Sequence, residues 1–322
     1  MHSFLKNTYL IIFMSCLFPG LALSEAQLLG KANLSVASLD DDTGSSTAIE
    51  SHSSRVGIKG DIDTKGELKV SYRFVWQIDM SDEAKASNDH IKSREQYISL
   101  KDSWGELRIG RHDTPYKKAG KKNIEFFSNS YADWNNIITK DHDKRADSSL
   151  SYYKTLGPAK VSLMYAGGDD TPTGNNAGEI LSAAADMKFS DFAFALAYQD
   201  IDTTGTATKV VFAYTLGKTR LGLAAENIEP EVGVNNDTTN TIFSIKHQLD
   251  EQYKIKFTYG VAEELTPSVD DPTMTALGID YTLNADATLF AYWADGADGG
   301  LSADAGLVGD SSVIAAGIIV KF

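Results

Sequence analysis

Apolar and aromatic residues recur at every second position along most of the chain, the period of a strand with one apolar and one polar face. Leu68, Val70, Tyr72, Phe74, Trp76 and Ile78 alternate with Lys69, Ser71, Arg73, Gln77 and Asp79. Tyr253, Ile255, Phe257, Tyr259 and Val261 are interleaved with Lys254, Lys256, Thr258, Gly260 and Ala262. The same period runs through Phe192, Phe194, Leu196 and Tyr198, through Val210, Phe212, Tyr214 and Leu216, and through Leu277, Ile279, Tyr281 and Leu283. No helical period competes with it. The runs last about nine to eleven residues, the length of a tilted membrane-crossing strand rather than the usual five or six of a globular sheet.

The connections alternate between short and long. Short turns fall at Leu156-Gly157-Pro158, Phe189-Ser190-Asp191, Leu216-Gly217-Lys218, Leu249-Asp250-Glu251 and Leu283-Asn284-Ala285. Between them lie long stretches rich in Gly, Asp, Asn and Thr, such as Gly167 to Gly178, Glu229 to Asn240 and Gly296 to Asp310. A soluble sandwich has no reason to sort its connections in this way, whereas a transmembrane barrel has short periplasmic turns and longer external loops. The count is about sixteen strands, the second over 54–62 and the fourth over 94–101. The predicted fold is therefore an all-β, transmembrane antiparallel barrel of about 16 strands, with a lumen too wide for side chains to fill.

Mean hydropathy is -0.23, and the body of the chain lacks the apolar run of roughly 20 residues that a membrane helix needs. The first residues differ from the rest. Lys6, the apolar run Tyr9 to Phe18, the break at Pro19-Gly20 and the small residues before position 25 read as a secretory signal peptide over 1–24, cleaved to leave 25–322. The single cysteine, Cys16, lies in that leader, so the exported chain has no disulfide to mispair. The formal net charge is -14, and losing Lys6 with no acid in the leader takes it to -15. An acidic chain of this kind is not built for nucleic acid.

The chemical motifs are sparse. Asp141-His142-Asp143-Lys144-Arg145 has no further metal ligands at a defined spacing and reads as a charged loop. Asp40-Asp41-Asp42-Thr43-Gly44 lacks the alternation and closing glutamate of a calcium loop, and reads as a solvated tip at the level of lipopolysaccharide. No phosphate-cradling glycine loop is present, and no cofactor is expected. A barrel hydrolase would need a His and a Ser with an orienting group at one strand end; His247, on a face shared with Phe243 and Ile245, reads as wall packing.

Several segments, taken in order, resemble the general-diffusion porins of Gram-negative bacteria over nearly the whole exported chain. Leu29-Gly30-Lys31-Ala32-Asn33-Leu34 is similar to the first strand of those porins, and Ser54-Arg55-Val56-Gly57-Ile58-Lys59-Gly60 to the second. Trp104 to Arg111 with His112-Asp113-Thr114-Pro115-Tyr116 resembles the fifth strand and the start of a constriction loop. Arg145 with Ser149-Leu150-Ser151-Tyr152 resembles the strand after it, and Gly317 to Phe322 the terminal strand. The resemblance implies an outer-membrane homotrimer, with the loop from Asp79 to Ser93 leaning on a neighbour, that passes small hydrophilic solutes passively. Its implied partners are outer-membrane lipid, lipopolysaccharide and the assembly machinery that reads Phe322.

The resemblance also places Lys31, Arg55, Arg111 and Arg145 in a basic cluster at the constriction; strand parity adds Arg73 and agrees on Lys31, Arg55 and Arg145. The loop from Thr114 to Asn136 would face them with Glu125 and Asp133 as its acids. Two departures bear on selectivity. Val75 stands where the family often has an inward glutamate, and the loop carries Lys117, Lys118, Lys121 and Lys122. Both make the constriction more positive, so weak anion preference or near-neutral selectivity is expected. Alternatives are a sugar- or phosphate-specific porin, with Tyr153, Phe290 and Tyr292 along the path, and a secreted soluble β-rich adhesin.

Overall fold

The alternation closes on itself. The computed structural model describes residues 26–81, 90–139, 142–167, 178–202, 204–231, 237–263, 270–301 and 307–322. Its strands are β1 (Gln27–Asp41), β2 (Gly44–Ser51), β3 (Arg55–Ile62), β4 (Lys69–Ile78), β5 (Ile91–Asp102), β6 (Gly105–Asp113), β7 (Arg145–Leu156), β8 (Ala159–Ala166) and β9 (Ile180–Phe189). The second half continues with β10 (Phe192–Ile201), β11 (Gly205–Leu216), β12 (Thr219–Pro230), β13 (Thr238–Gln248), β14 (Tyr253–Val261), β15 (Thr273–Thr282), β16 (Ala287–Ala297) and β17 (Ser311–Lys321). Each pairs antiparallel with its neighbour, and β17 returns to β1 with Lys31 opposite Lys321 and Asp41 opposite Ser311. The result is a closed antiparallel barrel of 16 strands, because β2 and β3 are two halves of one strand that both pair with β1. Closure satisfies every wall backbone group in a solvent that offers none, which is what a β structure needs to cross lipid.

The second strand is longer than the 54–62 expected. Its first half, Gly44–Ser51, is mostly small and polar and carries little alternation; the halves part at His52 to Ser54, where Ser53 turns to φ 54°. The fourth predicted strand likewise starts at Ile91 rather than 94. The Glu229 to Asn240 loop is shorter than expected, since β12 runs to Pro230 and β13 begins at Thr238. Connections are still sorted. The turns 103–104, 157–158, 190–191 and 217–218 lie at one end, and 79–90, 114–144, 167–179 and 298–310 at the other, where only 42–43 and 202–204 are short. The signal-peptide expectation over 1–24, and most of the loops over 79–93 and 167–178, lie outside the described residues.

Outward positions carry Val36, Ile98, Ile109, Leu150, Leu163, Leu196, Phe212, Leu223, Leu277 and Ile314, all exposed. So much bare apolar surface would aggregate in water and is at home in hydrocarbon. Near the short-turn end the outer face turns aromatic: Phe192 stacks on Tyr214 at 4.5 Å, and Tyr253 meets Tyr281 at a tilt at 4.8 Å between ring centres. Phe322 joins this end with its ring exposed, its backbone bonded both ways to Gly30, whose missing side chain leaves the room its ring occupies.

The inner wall is graded. From β9 to β13 it is lined by Ala184, Ala193, Ala195, Ala197, Val211, Ala213, Ala224 and Ile242. Against these small residues folds the segment 114–144, bringing Ile124, Phe127, Trp134, Ile137 and Ile138 into the only sizeable apolar core among the described residues. A Cβ on Gly222 would strike Ile124, and one on Gly278 would meet the Phe127 ring. Burying each of these side chains contributes roughly 1.5–3 kcal/mol toward holding the loop inside.

Candidate functional site

The inner loop leaves β6 at Asp113 and is pinned at intervals around the lumen. Thr114 caps a one-turn helix, Pro115–Lys118, its hydroxyl accepting from Lys117 N at 3.2 Å. Lys209 of β11 donates to the Tyr116 carbonyl at 2.7 Å and lies over the Tyr116 and Trp134 rings. Asp186 accepts from Gly120 N at 2.9 Å, and Arg220 donates to the Asn123 carbonyl at 2.9 Å. On the far side Asn33 of β1 donates to the Asn129 carbonyl at 3.0 Å, and the Tyr292 hydroxyl accepts from Tyr131 N at 3.2 Å. The returning limb is held by Glu226, which accepts from Tyr116 OH, from Thr139 N at 2.8 Å and from Asn240 at 3.2 Å.

The wall facing the loop is basic. Lys31, Arg55 and Arg73 point inward from β1, β3 and β4 as strand parity requires, between outward Val36, Ile58 and Ile62. Arg55 lies within electrostatic reach of Glu95, Arg73, Asp113 and Arg145, and Lys31 of Arg55 and Arg94. Arg145 of β7 pairs with Asp113 at 2.9 Å. Two irregularities add to the cluster. The β4–β5 register shifts between Phe74 and Trp76, so that Arg94 and Glu95 both turn inward; the β6–β7 register shifts between Gly110 and His112, letting Arg111 reach the lumen while it pairs with Asp147. A bulge inserts a residue and reverses the parity beyond it.

Between wall and loop is a cavity of about 730 Å³. Among the described residues its lining carries nine bases (Arg55, Lys92, Arg94, Arg111, Lys117, Lys118, Lys121, Lys144, Arg145) against four acids (Glu50, Asp113, Asp133, Asp143). Three of the four acids are engaged. Asp113 meets Arg145, Lys117 and Lys118; Asp143 meets Lys117 at 2.8 Å; and Asp133 accepts from Asn129 N at 2.6 Å and Asn135 N at 3.1 Å. Arg94 by contrast donates to an uncharged partner, Gln77, at 2.5 Å. Val75 is inward and fully buried, adding no charge.

The residues expected from the sequence are thus brought close to one another with different exposures. Arg55, Arg111, Arg145 and Asp133 line the cavity. Arg73 is held aside by Glu95 at 2.5 Å. Glu125 is turned toward the wall, paired with Lys121 at 3.1 Å. Burial, with Asp133 alongside, pushes the Glu125 carboxyl up against the pull of Lys121. Burial opposes the Lys121 charge too, but Glu125, Asp133 and Asp143 outweigh it and keep that ammonium above its ordinary value. Sequence reasoning did not single out Arg94, Lys209 or Glu226. For the last two a signal existed, since a charge between inward apolar residues, Ala207 and Val211 for Lys209, Ala224 and Ile228 for Glu226, is a misfit unless something covers it.

His247 bonds the Thr219 hydroxyl at 2.7 Å. His112 lies in β6 and touches the hydroxyls of Ser151 and Ser149. Asp141 lies outside the described residues, and His142 packs its ring 5.8 Å from Tyr116. Among the described residues no group of three His, Cys, Asp or Glu is placed to hold a metal ion.

Comparison with known proteins agrees with this geometry. The sequence model of the family described as Gram-negative porin matches residues 12–298. No curated protein sequence matches the chain. Among solved structures, the anion-selective porin from Comamonas acidovorans superposes with a TM-score of 0.75 at 18% identity, covering 92% of this chain and 99% of that one. The OmpF of Salmonella typhi, in complex with daunomycin, gives 0.73 at 15% identity over 93% and 98%. The trimer form of OmpT from Vibrio cholerae gives 0.69 at 17% identity over 92% and 99%.

Proposed function

The chain belongs to the Gram-negative porin family, and on that premise we propose that its pore has weak preference for anions, set by the basic wall formed by Lys31, Arg55, Arg73, Arg111 and Arg145 together with Arg94. The protein is an outer-membrane β-barrel channel for passive diffusion. The finer reading concerns what passes and how it is sorted. A diffusion pore screens solutes by width and by the charge lining its narrowest part.

The observation that carries the reading is the lining of the cavity, where nine bases face four acids and three of those acids, Asp113, Asp133 and Asp143, are held by lysine, arginine or backbone donors. Lys117, Lys118 and Lys121 place charge on the loop itself, and Val75 adds none on the wall. One structural neighbour is named as anion-selective, but at 18% identity it speaks for the fold; the charge inventory speaks for selectivity. Small hydrophilic anions and uncharged solutes are the proposed cargo.

A homotrimer, docked in outer-membrane lipid and lipopolysaccharide after delivery by the assembly machinery, is the proposed working form, and one neighbour is a trimer. Removal of residues 1–24 on export belongs to the same proposal. The sugar-channel alternative is less favoured, because Tyr292 accepts from the loop backbone and Tyr153 is covered by Arg108 at 4.4 Å and Lys160 at 5.1 Å.

The reversal potential in a planar bilayer under a potassium chloride gradient tests the selectivity. Its sign should show chloride passing somewhat more easily than potassium. Strong potassium preference would remove the basic-constriction reading.

A further inference from the structure

A second group of cations lies away from the constriction, on β12 to β14. Arg220 stands directly opposite Lys246, and Lys246 directly opposite Lys256, one row across three adjacent strands. Lys254 stands opposite Asp280 nearer the short-turn mouth. All five point into the lumen, since Leu223, Phe243, Ile255 and Ile279, an odd number of positions away, are exposed on the outer face. Like charges directly opposite one another destabilise a sheet, so a row of three calls for compensation.

The protein supplies part of it. The inner loop lays the Phe126 ring 4.5 Å from the Lys246 ammonium and the Phe127 ring 4.6 Å from that of Lys256. Asp280 pairs with Lys256 at 2.6 Å, and Arg220 spends its guanidinium on the carbonyl and side chain of Asn123. Among the described residues, four cations therefore share one neighbouring carboxylate, and only Lys256 is paired with it. Lys246 has no ion pair among the described residues, and the Lys254 ammonium has the Thr282 hydroxyl at 3.3 Å. These two share one neighbourhood of charge with Arg220, Asp280 and Lys256. Both are half-buried with donors uncommitted to any carboxylate among the described residues, Lys246 beneath the Phe126 ring.

We infer that this row is a binding site for multivalent oxyanions, solutes carrying several phosphate-type or carboxylate oxygens, reached from the periplasmic mouth. Chloride engages one ammonium at a time and leaves the row repelling itself. An anion with two or more charged oxygens bridges Lys246 and Lys254 with charge-assisted hydrogen bonds and cancels the repulsion it spans, while Arg220 contributes fixed positive charge. The inference rests on the channel reading only for access to the site.

Titration calorimetry of the folded, detergent-solubilised protein with inorganic pyrophosphate tests binding without requiring conduction. Saturable binding is expected, weakened roughly tenfold or more by Lys246→Gln with Lys254→Gln and by less than roughly threefold by Arg55→Gln with Arg94→Gln at the constriction. No saturable binding to the parent, equal binding by the lysine variant, or loss confined to the constriction variant would each overturn it. Should the double lysine variant fail to fold, Lys246→Gln alone gives the same reading, because that side chain has no ion pair to lose. Bilayer conductance of the same preparation separates the two levels. A conducting parent that binds no pyrophosphate loses the site and keeps the channel, and a silent parent that binds it loses the channel and keeps the site.

Discussion

At the scale of single residues, Glu226 shows how the loop is fastened. Its carboxylate takes hydrogen bonds from Tyr116 OH, Thr139 N and Asn240, which binds both limbs of the loop to β12 and β13. Lys209, fully buried beside it, is held by the Tyr116 carbonyl and two aromatic rings. Replacing Glu226 with Leu keeps the volume and strands the lysine charge and a backbone N–H, a loss of roughly 3–5 kcal/mol. The temperature at which the folded band disappears on a semi-native gel should fall markedly; an unchanged temperature would show that the loop is held elsewhere. The alternation marks both Glu226 and Lys209 as charges among inward apolar positions, a misfit that signals a cover, and is silent on what the cover is. Arg94 was hidden. Counting by twos along β5 from Tyr97 puts Glu95 inward and Arg94 outward, and only the bulge opposite Val75 brings both in.

At the scale of elements, the inner loop and the wall are complementary surfaces. Large side chains sit on the loop, and alanine and glycine sit beneath them. Gly222 lies under Ile124 so closely that a Cβ would overlap the isoleucine side chain. Gly222→Val should push this part of the loop toward the pore axis at an overpacking cost of roughly 1–3 kcal/mol, and single-channel conductance should drop. An unchanged conductance and melting temperature would contradict the packing.

The loop also has a pH dependence. Burial and Asp133 raise the Glu125 carboxyl, so the docked loop binds this proton more tightly than the unfolded chain does. Stability from this group is full below the ordinary carboxylate value and is lost as pH rises through the raised one. Glu125→Gln should therefore melt no lower than the parent at mildly alkaline pH, with the parent regaining ground as pH falls. A lower melting temperature for the variant at alkaline pH would show that the pair with Lys121 outweighs the burial.

Strands of this kind were legible because alternation over nine or more residues has one physical meaning. Gly44–Ser51 was missed because small polar residues can serve either face, leaving the period nothing to mark. The loop's course was foreseen through the family resemblance, whereas its docking depends on contacts far apart in sequence, such as Asn33 with Asn129.

At the scale of the whole molecule, two opposite charge distributions coexist. The chain is acidic, at -14 formally, with Asp40, Asp41, Asp42, Asp298 and Asp310 at the long-loop end, while the lining of the inner cavity and the β12–β14 row are basic. Fields inside a low-dielectric tube are focused along its axis, so the lining counts for more than net charge in deciding what passes. Raising salt should flatten this preference, because a Debye length of roughly 3 Å at 1 M screens the wall charges from the axis. Reversal potentials that keep their size from 0.1 to 1 M salt would place the selectivity in steric contacts instead.

The outer surface bears the apolar band and the aromatic girdle, and the barrel has no open edge, so the outer face serves to separate lipid from water while the inner face does the sorting. The measurement that bears most directly on this account is single-channel recording of the folded, unboiled protein in a planar bilayer. Stepwise openings in groups of three, with conductance rising in proportion to bulk salt, are predicted for a trimer of water-filled pores narrowed by the inner loop. Folded, membrane-inserted protein that passes no current would mean that the loop plugs the lumen, and would contradict the account.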